Sequence, residues 1–196
     1  QPMVPQPGER PIKVPNPEAT RKADKMRGMV GSLLHPFSAA DVNVVESEAD
    51  LPEHILSWMM AHNQTNTGVR GMLWPDTGSV YLIADRLFSD GDAFEVMYHE
   101  LVGHYGLRSM LANRHTYNEL MEGIWRDLPD LAKKYGSRNN YNVVNGKTLS
   151  WAEVKQVEPE QWYAAAEEVI AYTAGLINSG RMPDPRIMPW WKKLIE

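Results

Sequence analysis

The stretch Tyr98-His99-Glu100-Leu101-Val102-Gly103-His104-Tyr105-Gly106 constrains this chain more than any other, because two histidines and a carboxylate crowd into one apolar, helix-compatible run. Two neutral imidazoles and one further protein ligand hold a zinc ion, and an open position keeps a water whose pKa the metal lowers towards neutrality. In an HExxH helix the histidines stand four apart and share a face. His99 and His104 stand five apart, so at about 100° per residue a regular helix points them roughly 140° away from each other. A regular helix therefore cannot chelate with both. One inserted residue, as a π-type bulge, brings i and i+5 to the same side, and Gly103 is a residue that tolerates the distortion. Glu100 is the candidate general base, since it neighbours His99 and cannot easily ligate from that position.

His99-Glu100-Leu101-Val102-Gly103-His104 resembles the HExxGH helix of the dipeptidyl peptidase III family. The longer run to Gly106-Leu107-Arg108 is still more similar to small metallopeptidase modules of phage and mobile-element polyvalent proteins. The resemblance extends over residues 79–175, but its specific part is two short motifs, the second being Glu167-Glu168-Val169-Ile170-Ala171, which matches an EExxA stretch. It implies an α+β, zincin-like fold, mainly helical, with a small sheet or hairpin beside the metal helix. It further implies a zinc-dependent peptidase with His99, His104 and Glu168 as ligands and Glu167 orienting a histidine. Where the family motif continues with an acid, this chain has Tyr172. Tyr105, Tyr172 and Arg108 are the nearest candidates to hold the oxyanion of the transition state.

Periodicity alone leaves the third ligand open. Ala164, Glu168, Ala171 and Gly175 fall at i, i+4, i+7 and i+11, a stripe of small residues over which another helix can come close. That only mildly prefers Glu168 to Glu167. His115 is a further alternative, although it stands just before Thr116-Tyr117-Asn118-Glu119, which reads as a capping box opening a new helix. A metzincin is excluded, because Leu107 and Met110 occupy the positions of its glycine and third histidine.

Around the motif the chain reads as follows. Six prolines in residues 1–17 favour an extended arm or linker, with partner binding or occlusion as its functional alternative. Residues 18–196 form one domain. A helix is expected from Glu18 to Met29, ended by Gly28 and Gly31, and Val42 to Val45 suits a strand. Asp50-Leu51-Pro52-Glu53 has capping-box spacing for a helix to His62, with Leu51, Ile55, Trp58, Met59 and His62 as its buried face. Val69–Trp74, a Pro75–Gly78 turn and Ser79–Ala84 form a hairpin. By the resemblance, that hairpin is the candidate shelf on which an extended substrate adds itself as one more strand. A packing stripe at Leu120, Ile124 and Leu128 marks a helix that Pro129 ends; Gly136 ends the next, and Ser137–Thr148 reads as a loop. Ser150–Glu153 is another capping box, a long helix spans Glu160 to Asn178, and Trp190-Trp191 staple the terminus.

Composition removes several alternatives. Without cysteine there is neither a disulfide framework nor a thiolate metal site. A net charge of −5 with no basic block argues against nucleic acid or an anionic membrane as partner, and no run is long and apolar enough to cross a bilayer. We expect a soluble chain acting on a protein or peptide, and its start at Gln1 reads as a processed product or a piece of a larger parent protein joined through the arm. The rival readings are a catalytically silent binding module and a metal hydrolase of non-peptide amides.

Overall fold

The computed structural model describes residues 5–33, 41–111 and 113–195; Gln1 and Pro2 of the expected arm lie outside them. The fold is α+β and mostly helical with a small sheet. The chain divides into two compact units, residues 1–100 and 101–196, with the dividing point inside a helical run.

In the first unit, helix α1 spans Pro17–Leu33 and starts on Asn16, whose side-chain oxygen accepts from the Glu18 and Ala19 amides at 3.0 and 3.2 Å. It runs through both glycines expected to stop it. Ala19, Ala23, Met26 and Val30 recur at helical spacing and are all buried; a fully buried Met or Val contributes about 1.5–3 kcal/mol, more than the ~1 kcal/mol an interior glycine costs. Strands β1 (Val42–Val45), β2 (Gly71–Trp74) and β3 (Ser79–Ile83) make a sheet in the order β1-β3-β2. β3 pairs parallel to β1 and antiparallel to β2, and it is buried along its whole length, which is why it reads as uninterrupted apolar sequence. The expected hairpin is present, but its second strand is interior to the sheet, so of the hairpin's two strands β2 alone is at an edge, the other edge of the sheet being β1.

Helix α2 (Glu53–Ala61) departs from its expected pattern at two points. Leu51, Ile55, Leu56 and Met59 are buried, while Trp58 is 47% exposed, stacking on His62 at 4.2 Å. The buried face is rotated towards Leu56, which leaves Trp58 on the rim. Pro52 precedes the helix without a side-chain cap, because Asp50 turns back to the Ser47 amide and hydroxyl to close the short 3-10 turn Glu48–Asp50. Asp50 also binds Lys13, and Glu53 binds Arg10, so the two acids hold down the proline-rich segment. Asn66 Nδ2 adds bonds to the Gln6 and Glu9 carbonyls at 2.9 and 3.0 Å. Helix α3 (Asp90–Tyr98) is capped by Ser89, whose hydroxyl accepts from the Asp92 amide at 3.1 Å. β2 lies directly on it, since a Cβ at Gly71 would stand 2.6 Å from Val96 Cγ1.

The second unit holds α4 (Leu107–Met110), α5 (Arg114–Asp127), α6 (Pro129–Arg138), α7 (Trp151–Val157), α8 (Pro159–Asn178) and α9 (Met188–Ile195), with strands β4 (Val143–Val144) and β5 (Lys147–Thr148) between α6 and α7. α8 is the spine, packed against α5, α6 and α7. Met121, Ile124, Ala132, Val154, Ala165, Val169 and Ile170 form the dry centre. α5 begins three residues earlier than the Thr116 box predicts, because Asn113 caps it by accepting from the His115 and Thr116 amides. Gly136 does not end α6. It gives room, since a Cβ there would lie 2.5 Å from both Ala165 Cβ and the Trp151 ring. Within the expected loop, Asn145 and Gly146 have φ of 50° and 74° and turn the two-residue β4–β5 hairpin, the Asn-Gly signature of a tight primed turn. The α9 residue Trp190 lies on Gly123 of α5, closing the core. Among the described residues no helix is long and apolar enough to cross a membrane.

Candidate metal centre

α3 does not end at Tyr98 but passes into a π-helical segment, His99–Gly106. The five-residue histidine spacing asked for one inserted residue; the backbone spreads the wider turn over eight. The glycine inside it has a packing reason as well as a conformational one. A Cβ at Gly103 would stand 2.3 Å from Ala171 Cα and 2.6 Å from Ala171 Cβ, so the π segment and α8 touch backbone to backbone. Ala171 belongs to the small-residue stripe that the sequence places around Glu168.

This contact delivers His104 to two buried carboxylates. His104 Nδ1 lies 2.5 Å from Glu167 Oε1, and its Nε2 lies 3.5 Å from Glu168 Oε1. Glu167 and Glu168 are 0% and 3% exposed, on a stretch of α8 buried from Ala165 to Ala171, so neither belongs to a solvated face. Glu167 also accepts from Arg108 Nε at 2.9 and 3.2 Å and from the Tyr117 hydroxyl. Glu168 Oε1 accepts from the Tyr141 hydroxyl at 3.1 Å. Burial opposes the charge on Glu167, yet His104, Arg108 and Tyr117 outweigh it and hold its pKa below the usual carboxylate value. Burial likewise opposes the His104 imidazolium, and Glu168 and Glu167 outweigh it and hold the pKa well above normal. Burial, reinforced by the Glu167 charge, pushes the Tyr117 phenol up.

The donor chemistry fits a metal. Because an ionised Glu167 only accepts, Nδ1 of His104 carries a proton, and a ring made neutral by loss of its other proton would present an Nε2 lone pair to a second carboxylate. Nε2 and Glu168 Oε1 face each other across 3.5 Å, a gap in which either the imidazolium proton or a cation in its place satisfies both atoms. His99, on the same unbroken helical run, His104 and Glu168 each offer one ligand atom, and these atoms lie within 4.8 Å of one another. Two imidazoles and a carboxylate are a zinc-type set. Glu100 is 6% exposed, with Oε1 4.0 Å from His99 Nε2.

The other sequence candidates are distributed differently. Arg108 holds Glu167. Tyr172 stacks on Tyr135 with ring centroids 4.4 Å apart, and Tyr105 is half-buried on the π segment. His115 is exposed in the first turn of α5, 3.4 Å from Glu119, and is not part of the donor group. Tyr117 and Tyr141, which bond the two glutamates, carried no signal in the sequence. Compared with protein-family models, curated proteins and solved structures, the chain finds no match.

Proposed function

We propose that this protein is a zincin-like, zinc-dependent peptidase in which His99, His104 and Glu168 hold the metal and Glu100 is the general base. The single observation that carries this reading is the division of labour around His104. Glu167 accepts a hydrogen bond from its Nδ1–H, and Glu168 faces its Nε2 at 3.5 Å. A ligating histidine usually donates its other ring N–H to a carboxylate, which fixes its tautomer. Zinc, when bound, polarises the scissile carbonyl and acidifies a water. Glu100 would take a proton from the attacking water and return it to the amine that leaves when the C–N bond breaks. Tyr117 and Arg108 keep Glu167 ionised, and Tyr141 orients Glu168.

Metal analysis of protein purified without added zinc tests this reading. We expect stoichiometric zinc, lost in His104→Ala and retained in Glu100→Gln, and cleavage of a mixed peptide library lost in both variants. Substoichiometric metal unaffected by His104→Ala would overturn the reading, and zinc binding without Glu100-dependent cleavage would leave a metal site on a protein that is not a peptidase.

A further inference from the structure

We propose that Arg138 selects substrates bearing a carboxylate close to the scissile bond, by pairing its guanidinium with that carboxylate beside Glu168. This rests on the peptidase reading and names its substrate class. Glu168 and Tyr172 lie one turn apart on the same face of α8, with Cα atoms about 6 Å apart. The Tyr172 ring stacks on Tyr135 of α6 at 15° between planes, and Arg138 Cζ stands 5.4 Å from the Tyr135 centroid and 5.8 Å from that of Tyr172. Three residues on, the Tyr141 hydroxyl reaches Glu168. The end of α6 and the turn after it therefore meet the Glu168–Tyr172 turn of α8 at two points, and Arg138 lies between them in sequence.

Arg138 differs from other arginines of this unit. Arg108, Arg114, Arg126 and Arg186 each pair with an acid. Among the described residues no acid pairs with Arg138, which is exposed and lies beside the stacked Tyr135 and Tyr172 rings. A contact with aromatic rings uses none of the guanidinium N–H groups, and their fork matches a carboxylate in bidentate fashion. Lys134 lies over the same Tyr135 ring at 5.3 Å and adds positive charge. Asp184, the acid that acts on Tyr135, is held by Arg186 at 3.0 and 2.8 Å. The patch thus sets two cations against the aromatic pair whose Tyr172 stands one helical turn from Glu168. Its anion is either the C-terminal carboxylate of a peptide cut near its end or an acidic side chain near the cut.

The test uses the full chain loaded with zinc and one short-peptide library in three forms: free C-terminal carboxylate without Asp or Glu, amidated without Asp or Glu, and amidated with Asp and Glu. Binding is read as retention on immobilised Glu100→Gln protein, and cleavage as kcat/KM with the wild type. One carboxylate-bearing form should exceed the neutral form by about ten- to a hundredfold in both readouts, the gain of a charge-assisted hydrogen-bonded pair. Which form gains identifies the source of the carboxylate. Arg138→Gln should erase the difference without changing the neutral form, and Arg138→Lys should keep part of it. Equal binding of all three forms, or an equal loss for all three in Arg138→Gln, would overturn the inference. If the wild type cleaves nothing, the peptidase reading fails, and the binding comparison still decides the role of Arg138.

Discussion

Glu167 is the residue on which the centre turns. Fully buried, it accepts from His104, Arg108 and Tyr117 together, so Glu167→Gln keeps the shape while removing the charge that fixes the imidazole. Breaking a buried charged pair costs about 3–5 kcal/mol, and losing the partner of a ligating histidine lowers metal affinity about 10- to 100-fold. Competition against a chelator and denaturant unfolding of the metal-free variant should report these two losses separately. Unchanged affinity would remove Glu167 from the metal centre. Glu168→Gln should do the reverse, abolishing tight zinc binding with a smaller stability loss. The pair Glu167-Glu168 was legible through its likeness to an EExxA stretch and through the small-residue stripe around Glu168. Tyr117 and Tyr141 were not, because their bonds exist only once α5 and the turn after α6 have packed on α8, and one tyrosine in sequence resembles another.

At the scale of elements, the histidine spacing was itself a statement about backbone hydrogen bonding, and the π segment answers it. Deleting Val102 would restore HExxH, and it would also rotate everything from Gly103 onward by about 100°. His104 would leave Glu167 and Glu168, and equilibrium dialysis should find zinc binding abolished; retained binding would show that the widened turn is dispensable. Gly103→Ala should destabilise the fold by about 1–3 kcal/mol or more, since the added carbon meets backbone that cannot move aside. The misread elements share one cause. Gly28, Gly31 and Gly136 look like helix stops locally, yet burial of neighbours carries α1 and α6 through them. Asp50 and Glu53 have capping spacing, yet Asp50 closes the turn on Ser47 and also binds Lys13, while Glu53 binds Arg10. Local patterns fail where a distant segment provides a better partner, and nothing in the local spacing identifies that segment.

For the whole molecule, the proposed zinc site would link metal binding to folding. A zinc concentration a hundredfold above Kd stabilises by about 2.7 kcal/mol, so chelation should lower the melting temperature of the wild type by about 5–10 °C and leave that of His104→Ala unchanged. The arm behaves differently. Its Arg10–Glu53 and Lys13–Asp50 tethers are solvent-screened ion pairs, so limited proteolysis within residues 5–16 should accelerate at high salt while the rest of the chain keeps its protection. Equal rates at low and high salt would mean that the Asn66 bonds alone hold it.

The approach of Gly103 to Ala171 also limits how this chain can vary. Trimming Ala171 to glycine would remove the atom 2.6 Å from a new Cβ at 103, but not the α-carbon 2.3 Å from it. No substitution at the partner position compensates for a side chain at 103. The two sites are therefore coupled in one direction only: a library randomised at both should return glycine at 103 in every functional clone while 171 drifts among small residues, and an evolving lineage would have to move a helix before it could change that glycine.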